Sequence, residues 1–373
     1  MIDYFKMSCA NILDLNDDCL IEIARFLKGD VHNRYTWLSY ASVCRRFMYI
    51  FCTAHKKELT DVNINILTKS LDFNTLKALI DDYGCYMQKV KFRDTNNLIK
   101  LEWQYFLQNC NNVQDLTMHF DLHGMPNTLQ VWTNLRKLCC HNFKFSLRRG
   151  FFLNYINMQQ NLKVLLIGDI TLTSYSLRWI SNLNITHLQS RFQLTAPIDF
   201  DFLPKLTHLD MTADAFSFEQ LAMHKANQLI ALRCRPYITF KTFMASFEEI
   251  QLFQNLQHLF FSGVTLKYEH FVIIAKLKQL SLFQLEYCNE HIFSTFLLPL
   301  IENCKYLRTI CIAKLEELDV LDDFIDTSQH PHRLTINCSV KPSSHAVYKW
   351  LDLKFWSACA FRNFCDNISN SIL

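Results

Sequence analysis

His119, His123, Cys139, Cys140 and His141 are the residues of this chain whose types best suit metal ligation, because neutral imidazole and thiolate are both ligands for zinc. Adjacent strands bring such residues together only if the fold aligns them, and these five lack recurrent ligand spacing. None of the 15 cysteines forms a C-x-x-C pair. The sequence is therefore read as exposed strand histidines beside buried thiols, with no metal and no cofactor. Catalysis needs a convergent set of groups, and G-x-S-x-G, H-E-x-x-H, G-x-x-x-x-G-K-S/T and G-x-G-x-x-G are all missing. A binding protein is expected rather than an enzyme.

The elements that would position any binding groups are written as a repeat. From Met87 onward an apolar residue, two variable ones, an apolar residue, one variable and another apolar residue recur. The middle positions are Val90, Leu116, Leu138, Leu165, Leu188, Leu209, Leu232, Leu259, Leu280, Ile310 and Leu334, a mean period of about 24 residues. Alternate residues of each short strand point inward, so stacked strands make a parallel sheet with one buried face. Helices are expected between them over Ser174–Leu183, Phe216–Ala226, Lys241–Phe253, Tyr268–Lys276 and His291–Glu302. Asparagine precedes the first apolar residue at Asn112, Asn134, Asn161, Asn184 and Asn255, where a helix must end before the chain turns into a strand. The 31 Phe and 14 Tyr against only 6 Gly and 7 Pro leave too few turn formers for an all-β sandwich.

Ahead of the array, Leu20, Ile23, Ala24 and Leu27 fall at helical spacing behind a capping Asn16 and acidic Asp17 and Asp18. A second apolar stripe runs through Trp37, Leu38, Tyr40, Ala41 and Cys44 into Phe47, Ile50, Phe51 and Ala54. Helices this short cannot bury all of these residues on one another, so part of the surface needs a partner.

Leu15-Asn16-Asp17-Asp18-Cys19-Leu20-Ile21-Glu22-Ile23-Ala24-Arg25-Phe26-Leu27, followed by Leu38-Ser39-Tyr40-Ala41-Ser42-Val43-Cys44-Arg45-Arg46-Phe47, resembles the F-box motif over about forty residues. The array behind it resembles the leucine-rich repeats of F-box proteins. This resemblance implies the substrate-recognition subunit of an SCF-type ubiquitin ligase, with partners a Skp-type adaptor and, through it, cullin. It carries Leu15, Leu20, Ile23, Leu27, Leu38, Val43 and Phe47 over as adaptor-interface or domain-core positions. No RING or catalytic thioester cysteine is identifiable, so any role in ubiquitination is one of holding, with rate gained from proximity. A ligase-independent repeat scaffold, in which the same helices only cap the array, is the alternative.

The expected architecture is α/β. A tail (residues 1–11) precedes a three-helix F-box (12–55), then a helical linker and start of the solenoid (56–85), irregular leucine-rich repeats (86–340) with strands on the concave side, and a C-terminal helical cap (341–373) built on Val347, Trp350, Leu351, Leu353, Phe355, Trp356, Phe361 and Phe364. The outward strand positions hold Lys89, Lys91, Arg93, Lys137, Arg191, Arg233, Arg235 and Arg333 against Asp115 and Asp210. Eight basic less two acidic residues give +6, more than the +3 of the whole chain. His187, His208, His258, Phe260 and Phe283 are assigned to the same face. Lys137, His187, Arg191, His208, Arg233, Arg235, His258 and Phe260 are thus the candidate substrate-binding residues. An acidic or phosphorylated protein segment suits such a groove, and a solvated face that keeps an apolar array soluble is the other reading. Nucleic acid is disfavoured because base stacking needs more exposed aromatics. No secretory leader or membrane-spanning run is written, and the scattered, odd-numbered cysteines fit reduced thiols of the cytoplasm or nucleus.

Overall fold

The computed structural model describes residues 12–27, 40–93, 105–106, 108–119, 132–141, 149–192, 198–213, 217–236, 246–286, 292–313, 315–316, 321, 334–338 and 351–355. The chain divides into two compact units, residues 1–142 and 143–373.

In the first unit, helices α1 (Asp17–Phe26) and α2 (Arg45–Ala54) precede strand β1 (Asp61–Asn63), helices α3 (Ile64–Ser70) and α4 (Phe73–Tyr83), and strands β2 (Lys89–Arg93), β3 (Asp115–His119) and β4 (Lys137–His141). Asn16 starts α1 as expected, its side-chain oxygen accepting from the Cys19 amide at 2.8 Å. Asp72 does the same for α4 with the Asn74 and Thr75 amides. The four strands pair in parallel and in chain order, with Val62, Val90, Leu116 and Leu138 in one row. Strand β1 had no counterpart in the sequence pattern, which began at Met87. Leu59, Val62 and Ile64 nevertheless match the same motif and are all buried.

The second unit opens with helix α5 (Arg149–Met158). Nine strands then pair in parallel in chain order: β5 (Val164–Leu172), β6 (His187–Phe192), β7 (His208–Ala213), β8 (Ala231–Pro236), β9 (His258–Ser262), β10 (Leu282–Glu286), β12 (Thr309–Ile312), β14 (Leu334–Cys338) and β15 (Leu351–Phe355). Helices α6 (Ser174–Trp179), α7 (Phe218–Lys225), α8 (Tyr268–Ile274) and α9 (Leu298–Asn303) occupy crossovers at the expected places. Tight 3-10 turns serve at Phe200–Phe202 and Phe247–Leu252. A short ribbon, β11 (Ile292–Phe293) with β13 (Leu315–Glu316), was not foreseen and begins where a helix was expected.

This is a parallel-strand α/β arrangement consistent with a leucine-rich-repeat solenoid. Its regularity comes from the backbone at the entry to each strand. Thr186, Thr207, Ile230, Gln257, Ser281 and Arg308 each donate an amide to the carbonyl of the equivalent residue one repeat earlier, at 2.8 or 2.9 Å. In the first unit Gln88, Gln114 and Arg136 continue the same pattern. Each turn thus satisfies the polar groups of the one before it, as buried backbone must. The recurrent asparagines act beside this ladder. Asn112 donates to the Cys85 carbonyl at 2.7 Å, Asn134 to the Asn112 side chain at 3.3 Å, and Asn255 to the Asn227 carbonyl at 2.7 Å.

Three expectations are corrected. In β10 the residue aligned with Leu259 is Phe283, not Leu280, so Phe283 points into the core and Glu286 joins the outer face. In β14 the residue aligned with Ile310 is Ile336 rather than Leu334. Within the expected C-terminal helical cap, Leu351, Leu353 and Phe355 lie on strand β15, paired with β14. Their alternation has the period of a strand, and the open edge of β14 supplies the partner that a helix would have left without. The rest of that cap, like Leu38, His123, Arg333 and the loop from Lys28 to Thr36, lies outside the described residues.

Candidate protein-binding surfaces

The helices α1 and α2 hold one another through polar links that fix their mutual geometry. Arg46 donates from Nε to Asp17 at 2.9 Å and from Nη2 to the Leu15 carbonyl at 2.5 Å. His55 Nε2 lies 3.0 Å from the Ala24 carbonyl. The Phe51 ring sits among Tyr40, Phe47 and His55, with centroids 5.5, 6.1 and 6.4 Å away.

This packing sorts the motif residues into two groups. Leu20 is 3% exposed and belongs to the core with Ala24, while Leu15 and Phe47 are half-buried. Ile23, Leu27 and Val43 are exposed, Val43 at 66%. Phe26, which the sequence reading did not single out, is 86% exposed. Its signal was present in the sequence: Phe26 follows Ile23 by three residues and so extends the face bearing Ile23 and Leu27 beyond the buried Leu20–Ala24 stripe. An apolar group of this kind on one small helical pair marks a contact surface. A neighbouring depression of about 190 Å³, lined by Ala41, Ser42, Cys44, Arg45, Met48, Asn74, Thr75 and Ala78, is smaller than the ~300 Å³ typical of small-molecule sites.

The second candidate surface is the outward face of β6 to β10. Arg233 and Phe260 stand side by side there, in line with Asp210 and Gln284. Contrary to the expected open groove, Asp210 is 1% exposed, Arg233 3% and Phe260 1%. The charges are paired. Arg235 Nε donates to Asp210 at 3.1 Å, and its Nη2 donates to the other oxygen of the same carboxylate. Gln189 donates to Asp210 at 2.9 Å, and Arg233 donates to Glu286 at 3.0 Å and approaches Asp210 at 4.0 Å. Gln284 also donates to Glu286. Arg233 and Arg235 are thus met by Asp210 and Glu286, so these two of the basic residues counted from the sequence are neutralised within the face. The cause is the register of β10, which sets Glu286 opposite Ser262 on the outer face, within reach of Arg233. Lys137, on β4 in the first unit, and Arg191 remain partly exposed.

A histidine row borders this network. His187 and His208 stack with centroids 3.9 Å apart and planes at 12°. Their Nδ1 atoms each lie 2.8 Å from the hydroxyl of the preceding residue, Thr186 or Thr207. Burial, followed by the neighbouring His187 and His258 rings, pushes His208 down to about 4, and burial also lowers His258. A histidine lowered on folding contributes stability that is complete above its ordinary value of 6.5 and is lost as pH falls from 6.5 towards 4. The melting temperature is expected to drop over that window, and to drop less in His208→Gln. An equal drop in both, followed by thermal melts at pH 7.0 and 4.5, would remove the histidine row as the cause.

For cations, Asp199, Asp201 and His224 each bring one donor atom within 4.8 Å of the others. His224 Nδ1 lies 3.1 Å from Asp201 and 3.9 Å from Asp199, and the Lys225 ammonium feels both carboxylates. Among the described residues no helix is long and apolar enough to cross a membrane.

No protein-family model matches the chain, and no curated protein matches it by sequence. Among solved structures it is similar to internalin C2 from Listeria monocytogenes, at 19% identity and TM-score 0.31, covering 48% of this chain and 74% of that one. Similarity to an internalin (inlF) from the same organism has 14% identity and TM-score 0.40, with 77% of each chain covered. Similarity to the mouse RP105/MD-1 complex has 13% identity and TM-score 0.37, covering 82% of this chain and 55% of that one.

Proposed function

We propose that this chain is the substrate-recognition subunit of an SCF-type ubiquitin ligase, its α1–α2 pair docking a Skp-type adaptor and its repeats holding a target protein. The observation that carries the reading is the exposure of Ile23 and Phe26 on α1, of Leu27 at its end and of Val43 in the turn before α2, the two helices being fixed by the Arg46 links. A pair that only capped the repeats would turn such residues inward. The chain contributes no chemistry in this reading; it raises the local concentration of the target beside the rest of the ligase. An acidic or phosphorylated target has less charge to draw on at β8, whose arginines are already paired, and would be met by the basic residues of the other strands, such as Lys137 and Arg191.

The test uses purified Skp-type adaptor and the full-length chain. Phe26→Asp and Val43→Asp place charges in a contact that must shed water, at a cost of several kcal/mol, and are expected to abolish binding without unfolding. Leu20→Asp is unsuitable, since Leu20 is core. Undiminished binding by a folded Phe26→Asp/Val43→Asp variant would sink the ligase reading and leave a repeat scaffold for protein binding.

A further inference from the structure

The geometry points to Asp199, Asp201 and His224 as a binding site for one divalent transition-metal cation, held by two carboxylates and one imidazole with its remaining coordination positions left to water. No ligand motif in the sequence joins these residues; two consecutive crossovers bring them together. The aspartates flank Phe200 on the 3-10 turn between β6 and β7, and His224 lies in the last turn of α7, between β7 and β8. Phe200 is buried against Phe192, with ring centroids 5.7 Å apart, which anchors the turn and leaves the carboxylates on either side near the surface. On α7, Phe218, Leu221 and Ala222 are buried while His224 is half-buried.

Each of the three residues offers one donor atom, and these donors lie within 4.8 Å of one another. His224 Nδ1 is 3.1 Å from Asp201 and 3.9 Å from Asp199. Metal–oxygen and metal–nitrogen bonds of roughly 2.0–2.2 Å set neighbouring donors about 3 to 3.5 Å apart. The first separation is already that of a coordinated pair, and the second exceeds it by less than about half an ångström. Asp199 is held in place as well, its Oδ1 accepting from the Asp201 amide at 2.9 Å.

Charge supplies a second, independent observation. The adjoining Lys225 ammonium donates to the Leu203 carbonyl at 2.8 Å and to Gln228 at 3.2 Å. Among the described residues no lysine or arginine comes within ion-pair distance of either carboxylate, whose partner is the His224 ring. Two like charges are thus gathered beside an imidazole, and one divalent ion cancels both. Two oxygens and a nitrogen suit zinc, cobalt or manganese, whereas calcium takes a larger, all-oxygen set.

This site does not rest on the adaptor reading, and its test uses no adaptor. Reduced, chelator-stripped full-length protein is titrated with Co2+, with equilibrium dialysis reading the stoichiometry and absorbance reading the ligands. The first equivalent is expected to give visible cobalt bands without a near-ultraviolet thiolate-to-cobalt band, since no cysteine is among the donors, and Zn2+ is expected to displace it. Asp201→Asn and His224→Gln should each weaken binding by at least about tenfold, because even loss of an outer-shell partner costs that much. Cys139→Ser, on β4, should bind as wild type. If circular dichroism shows that His224→Gln does not fold, Asp201→Asn decides, because that side chain is largely in solvent. The proposal is overturned if wild-type protein takes up no Co2+, if the first equivalent goes to thiolates, or if folded Asp201→Asn and His224→Gln bind as wild type. No uptake would leave the three groups as a histidine hydrogen-bonding with surface carboxylates.

Discussion

Asp210→Ala is expected to lower folding stability by about 3–5 kcal/mol, the cost of breaking a buried ion pair by removing one partner. Position 210 lies on the outward side of β7, where a repeat-based reading places solvent and allows a substitution to change stability by no more than about 0.5 kcal/mol. The carboxylate is instead buried, with Gln189, Arg233 and Arg235 converging on it. Without it Arg233 keeps Glu286, but Arg235 loses its partner and Gln189 an acceptor. Charge, rather than size, is the source of the effect. Asp210→Asn should therefore recover only part of the loss, while a joint replacement of Asp210, Arg233 and Glu286 by apolar residues of similar volume should be much less harmful than Asp210→Ala. Denaturant melts of the three variants check this. A midpoint for Asp210→Ala equal to that of the wild type would mean that the face is open and the groove available after all.

Phe283→Ala is expected to cost about 3–5 kcal/mol, the range for deleting a buried aromatic ring. The sequence contains two overlapping matches to the repeat, Leu277-x-x-Leu280-x-Leu282 and Leu280-x-x-Phe283-x-Leu285, and the two put opposite faces of the strand inward. The structure selects the second. Leu277 to Leu280 forms a turn closed by a 3.2 Å backbone bond, and Ser281 is the residue that joins the inter-repeat ladder to Gln257. Phe283 then aligns with Leu259 and Ile310 and packs edge-on against Phe271, with centroids 5.8 Å apart. Under the first match the same substitution would remove an exposed ring and cost little. Thermal and denaturant melts of Phe283→Ala separate the two registers.

Local patterning by itself determined the class of fold, the rows Val90 to Leu259, the positions of α1, α6, α7 and α8, and the capping role of Asn16, because these depend on a few neighbouring residues and on periods of 2 and 3.6. It could not choose between overlapping matches in β10, and it read the alternating Leu351, Leu353 and Phe355 as helix because nothing local reveals the edge of β14 that pairs with them. Which apolar residues of α1 are core and which are surface was equally out of reach. Leu20 and Phe26 lie on one short helix, and only the packing of α2 buries the first and leaves the second in solvent. The charge of the outer face was decided in the same way. Arg233 meets Glu286 across 53 positions of sequence, a pairing set by the stacking of three strands, so two of the basic residues counted as open charge lie in a neutral network once those strands are in register. His119 and His141 likewise stack only because parallel pairing lays one strand's alternation directly beside the next.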